Sequence, residues 1–223
     1  MNKEQVGASS EAMLAWHFLK ADRRLAYPPH TPVFAGQRLT VAPERLRLCT
    51  YGLHASVRAL DALEYAPGPV VCRVALGGVI KRGNDKVCAS ERTVLAMADA
   101  TETLRAFARS CALDVIDKWS APPVVRKYLA TGNESLREAA ASAAWAESVK
   151  RTASLTWAAS AAAAWSAAWA ESAALAKSAA KSAALAKSAA RSGWTKSAAG
   201  SAALAVQNAR LEAMFFDLLQ LQG

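Results

Sequence analysis

The sequence predicts an α+β protein: a small, mostly antiparallel sheet module over about 11–90, followed by an all-helical, alanine-rich domain over about 91–223. Three observations predict it. Short β-branched runs broken by Pro and Gly fill the first part of the chain. From Ser90 onward apolar residues recur at three- and four-residue steps. Between residues 139 and 206, 31 of 68 positions are alanine, the residue with the highest helix propensity. At 223 residues the chain is long enough for two small cores.

Taken in order, Trp16-His17-Phe18-Leu19 reads as a first strand. The prolines at 28, 29 and 32 remove donors and forbid regular structure there. Arg38–Val41 and Leu46–Cys49 alternate polar and apolar, as half-buried strands do. Ser56 is the expected N-cap of a helix over about 57–65, with Leu60, Leu63 and Tyr65 as its apolar face. Pro67-Gly68-Pro69 ends that helix. Val70–Leu76 is the strongest strand signal, and Gly77-Gly78 allows a turn or bulge into Val79–Lys81. Gly83-Asn84-Asp85 turns the chain, and Lys86–Ala89 returns.

Ser90 is expected to start a helix through Met97. Thr101 caps the next, with Leu104, Phe107, Ala108, Cys111, Val115 and Trp119 on its apolar side. Pro122-Pro123 opens a short helix over Val124–Leu129, and Thr131–Glu134 supplies a turn and cap. Helix is then expected from about 134 to 192, with or without a turn, because breakers return only at Gly193 and Gly200. Trp157, Trp165 and Trp169 should dominate packing among alanines that let helices approach closely. Ser172–Lys181 is repeated at Ser182–Arg191 with one Lys-to-Arg change. A ten-residue step falls about 80° short of whole helical turns, so the copies do not share one stripe. A β-solenoid with a five-residue step is the alternative. Leu211, Met214, Phe215, Leu218 and Leu219 form a closing amphipathic helix.

Net charge is +9. Six basic residues and no acidic one lie between Ser172 and Leu211. Lys177, Lys181, Lys187, Arg191 and Lys196 are therefore candidate binding residues for an acidic macromolecule, with non-specific nucleic-acid contact as one form of it. Cys49, Cys72, Cys88 and Cys111 show no C-x-x-C spacing and no neighbouring histidine, so no metal site is expected and buried reduced thiols are. The uncharged stretch 152–170 is rich in Ala, Ser and Thr and too weakly apolar to insert in a membrane. Met1–Ser10 is polar, without a leader pattern. There is no P-loop, dinucleotide fingerprint, nucleophile elbow or H-E-x-x-H. His17 and His54 fall on expected strands and can meet across a sheet, with Asp85 or Glu91 as acidic neighbours. His30 lies in the proline-rich loop.

Several segments resemble a family of uncharacterised bacteriophage and prophage proteins: Trp16–Leu19, Asp22–Leu25, Tyr51–Ser56, Ala59–Gly68, Val71–Val74, Asp85-Lys86, Ala89–Leu95, Ala108–Ile116, Tyr128-Leu129 and Glu134–Arg137, ending in an Ala/Trp-rich tail with Gln207–Glu212. The resemblance carries no activity. A rigid, basic helical surface with no recognisable reaction site points, alongside that resemblance, to a phage-encoded accessory binding protein, cytoplasmic in the host cell, that engages a host or defence component non-covalently and without a cofactor. A basic nucleic-acid-associated or structural phage protein is a further alternative. The middle helices are similar to a class of bacterial immunity proteins. The order of the His17 strand, Gly52–Ser56, a helix ending at Tyr65-Ala66, a strand and Asp85-Lys86 also resembles the ADP-ribosyltransferase-like sheet. That resemblance implies an NAD-using enzyme with His17, His54 and Glu91 as catalytic candidates.

Overall fold

The computed structural model describes residues 6–8, 12–27, 29–149, 154–168, 177, 181 and 193–221. The chain divides into two compact units: Met1–Ala100 with Phe215–Gly223, and Thr101–Met214. The fold is α+β, with an antiparallel sheet in the first unit and helices in the second.

The spine of the first unit is a hairpin of two 13-residue strands, β5 (Val70–Arg82) and β6 (Val87–Asp99), joined at the expected Gly83–Asp85 turn. On the free edge of β5, β2 (Met13–Leu19) pairs along Val70–Leu76 and β1 (Val6–Ala8) along Val79–Lys81. On the free edge of β6, β4 (Leu53–Ala55) pairs along Val87–Ala89 and β3 (Arg38–Thr40) along Glu91–Thr93. Trp16 and Ser56 then exchange both backbone hydrogen bonds, at 2.7 and 2.9 Å. That bridge brings β2 back beside the end of β4, so the sheet curls toward closure instead of lying open. Buried side chains of these strands form one core, among them Ala15, Leu19, Cys72, Val74, Leu76, Ile80, Ala89 and Val94. On the opposite face of β2, Trp16 and Phe18 are covered by Phe215, with ring centroids at 5.4 and 5.9 Å. The expected return of the closing helix onto a core is thus seen at Phe215.

Gly77-Gly78 forms a bulge, the second of the two alternatives. The register slips between Gly77 and Ile80, and Gly78 takes a φ of +66°. A Cβ there would lie 2.2 Å from Ser90 Oγ, which instead accepts the Val79 N–H at 2.9 Å.

Four local expectations fail. Ser90–Met97 is strand, not helix, so the boundary drawn at residue 90 falls inside β6 and the units divide after Ala100. Pairing with a long partner strand overrides the helical reading. Leu46–Cys49 is not a strand. A single 3-10 turn (Pro43–Arg45) leads into a bridge between Arg47 and Tyr51. The helix after Ser56, α1 (Ala59–Ala62) continued by a 3-10 turn at Leu63–Tyr65, has Arg58 at its N-cap, because Ser56 is committed to Trp16. Residues from Phe215 belong to the first unit, not to the helical domain.

In the second unit α2 (Thr101–Leu113) buries Leu104, Phe107, Ala108 and Cys111, as its spacing requires. α3 (Pro123–Thr131) starts at proline and stops at Gly132 with φ +65°. Asn133 then caps the following turn by accepting the Ser135 N–H at 3.0 Å. The alanine-rich stretch is not one helix: α4 (Arg137–Ser148) and α5 (Leu155–Ala168) are separate and pack through alanine. Trp157 meets Trp119 at 6.3 Å and Trp165 meets Trp145 at 5.4 Å, so these indoles brace different helices. α6 (Gly193–Leu219) begins at Gly193 and runs through Gly200, which does not break it. The duplicated segment and its solenoid alternative lie outside the described residues, apart from Lys177 and Lys181, which are helical. Among the described residues no helix is long and apolar enough to cross a membrane.

Candidate anion-binding pocket

The curl of the first unit leaves a cavity of about 520 Å³ between β2, β4, the loop at Cys49–Gly52, the 3-10 turn at Tyr65 and β6. Of the candidate catalytic residues, His17 and His54 line it and Glu91 does not. The Trp16–Ser56 bridge puts β2 and β4 side by side and so brings the two histidines together. Glu91 lies one residue from Arg92, on the other face of β6, where its carboxylate takes the Arg38 guanidinium at 2.6 Å.

His54 is occupied by backbone. Its Nε2 accepts the Cys49 N–H at 3.0 Å, which leaves Nδ1 to donate to the Gly52 carbonyl. This fixes a neutral tautomer that ties the 49–54 loop together. Burial lowers its pKa, and the Lys86 and Arg92 charges add to that, against the Gly52 bond. His17 faces the interior opposite Cys72. Its pKa is held well below 6.5, first by desolvation and then by Arg92 and His54, while hydrogen bonding to the His54 backbone opposes the shift.

The residue that sequence reasoning missed is Arg92. It is 2% exposed and lines the cavity. Nη1 donates to the His54 carbonyl at 2.9 Å, and Nε has no hydrogen-bond partner. Among the described residues no carboxylate pairs with it, and no Asp or Glu lines the cavity. Burial pulls its pKa down to about 10, although the nearby Cys72 thiol favours the charged form. A buried cation without a counter-ion carries a desolvation penalty of several kcal/mol. The signal was present in the sequence: once residues 87–99 are a strand, Arg92 shares the buried alternation of Ser90 and Val94. Reading a helix there hid it.

At the rim, Lys86 places its ammonium 4.3 Å from the Tyr65 ring centroid, and the Tyr65 hydroxyl donates to Asp85 Oδ2 at 2.5 Å. The Asp85 bond raises the Tyr65 pKa. Hydrogen bonding to the Cys49 thiol, and secondarily to Tyr65, raises that of Lys86 and keeps it cationic. Arg45 sits over the Tyr51 ring at 4.6 Å. The pocket thus combines a buried guanidinium, a rim ammonium, two imidazoles and aromatic walls.

The candidate binding residues of the tail are not assembled into a described site. Lys177 is partly buried and Lys181 exposed. Lys187, Arg191 and the side chain of Lys196 lie outside the described residues. Arg210 is spent internally, donating to Asp114 and Ser110, each at 3.1 Å. Among the described residues no group of His, Cys, Asp and Glu is placed to hold a metal ion. Of the cysteines, Cys72, Cys88 and Cys111 are buried as expected, and Cys49 is exposed, which corrects the expectation for it.

No curated protein and no solved structure matches the chain. A family model described as "Domain of unknown function (DUF7666)" matches residues 19–106, a span that holds Cys49, His54, Lys86 and Arg92 and leaves His17 just outside.

Proposed function

We propose that this chain is a non-covalent binding protein whose first unit takes the anionic group, phosphate or carboxylate, of its ligand. The observation that carries the reading is Arg92: a guanidinium 2% exposed, with a free Nε and no acidic partner, in the wall of a 520 Å³ cavity. An anion entering the cavity would supply the missing counter-charge, and a guanidinium suits the two-oxygen geometry of phosphate or carboxylate. Lys86 adds positive potential at the mouth. A host or defence component bearing such a group is the partner class that fits the phage-protein resemblance. The test is calorimetric titration with pyrophosphate at low salt. Binding to wild type and its loss in Arg92→Met supports the reading; equal binding by both proteins refutes it.

The NAD-using reading is favoured by one observation, the shared pocket of His17 and His54. It lacks its acid, because Glu91 is on the far face of β6, paired with Arg38. An NAD-consumption assay tests it, and turnover that survives His17→Ala and His54→Ala removes these residues from it. The basic tail as a nucleic-acid contact rests on its charge alone. Its test is a salt titration of DNA binding, where contact with several phosphates requires a steep slope.

A further inference from the structure

Cys49 is an exposed thiol in the wall of the same cavity. Its φ is +71°, the left-handed region, which costs a non-glycine residue on the order of 1 kcal/mol and persists only where the surroundings impose it. The Arg47–Tyr51 bridge and the bond from the Cys49 N–H to His54 impose it here. Lys86 also lines the cavity. Independently, Arg92, almost fully buried and with Nε unpartnered, lines the same cavity.

We propose that Cys49 is a thiol-exchange site for an anionic disulfide, drawn in and oriented by Arg92 and Lys86. The inference rests on the anion-binding part of that reading and, for a disulfide ligand, replaces its non-covalent end point with a covalent one. Cys49 Sγ, after losing its proton to solvent, attacks one sulfur of the disulfide. The new S–S bond forms as the old one breaks, and the leaving half departs as a thiolate that takes a proton from solvent. Cys49 is oxidised to a mixed disulfide and the leaving half is reduced, so the disulfide itself is the oxidant. Lys86 lies where negative charge develops on the sulfurs, and Arg92 where the ligand's own anion can rest. Asp85, bonded to Tyr65, is the acid in the rim cluster and stands on the Lys86 side.

The experiment is a charge series of probes on the full chain at low salt: oxidised glutathione (anionic), hydroxyethyl disulfide (neutral) and cystamine (cationic). Adducts are mapped by mass spectrometry, and each rate is divided by that reagent's rate with free cysteine. The normalised rates should fall in that order, with oxidised glutathione ahead of hydroxyethyl disulfide by about tenfold or more. Lys86→Met and Arg92→Met should each collapse that ratio. Equal normalised rates across the series overturn the proposal, as does an adduct that maps elsewhere. Pyrophosphate titration separates the two ideas: binding with a flat charge series sinks this inference alone, whereas no pyrophosphate binding sinks the reading beneath it.

Discussion

Replacing Arg92 by methionine should make the unliganded protein more stable while destroying its anion site. Burial pulls the guanidinium pKa down to about 10, the mark of a desolvation penalty on the order of a few kcal/mol. Methionine fills similar volume without that penalty. What is lost is the 2.9 Å bond from Nη1 to the His54 carbonyl, a charged hydrogen bond worth about 1–3 kcal/mol. That carbonyl is not orphaned, because the His54 backbone also bonds the His17 ring. The balance is a gain of about 1 kcal/mol, read as a rise of roughly 0.5 M in the urea midpoint. Pyrophosphate should raise the wild-type midpoint and leave that of Arg92→Met unmoved. A variant destabilised by several kcal/mol would mean that the guanidinium is a satisfied structural group, and the pocket argument would fall with it.

Other consequences follow from the same geometry. His17 and His54 have folded-state pKa values below 6.5, so the unfolded chain binds more protons just below that pH; stability should be full above pH 6.5 and decline as pH falls through 6.5 toward the depressed values, and a flat urea midpoint between pH 7 and 5 would contradict this. Gly78→Ala should cost about 2–3 kcal/mol, from an unfavourable positive φ and from displacing Ser90 Oγ off the Val79 N–H; thermal unfolding within experimental error of wild type would show that the bulge is not needed. Phe215→Ala should cost the first unit about 3–5 kcal/mol by uncovering Trp16 and Phe18, seen as an early, red-shifted tryptophan transition. His54→Ala should speed amide exchange at Cys49 and Gly52 while leaving β5 and β6 protected, since the ring holds only that loop; equal protection in wild type and variant would contradict the tautomer assigned here.

Most strands of the first unit could be read from pattern, because β-branched alternation and the Gly83–Asp85 turn are local signals. β6 could not: Ser90–Met97 mixes residues at home in either state, and only the hydrogen-bonding edge of β5 decides between them. One misread strand then hid the site, because the inward parity of Arg92 exists only if residue 92 is in a strand. The two histidines were legible as candidates, but their roles were not. His54 becomes a loop tie through a bond to a residue five positions earlier, and Glu91 leaves the group through an ion pair with Arg38. Helix propensity left open whether a turn interrupts the alanine-rich stretch, and only the structure ends α4 at Ser148 and begins α5 at Leu155.

By itself the sequence determined the division of labour along the chain: β-branched, turn-punctuated residues in front and alanine-rich helix behind, with the strand-to-strand turns and the proline starts in place. These are nearest-neighbour properties, set by φ restriction and side-chain branching. Tertiary structure alone decided where β6 ends, that the sheet curls through the Trp16–Ser56 bridge, and that a guanidinium is shut inside without a carboxylate. Those outcomes depend on which distant backbone edge pairs with which, and burial of a charge is a property of the enclosure built around it, not of the residue that carries it.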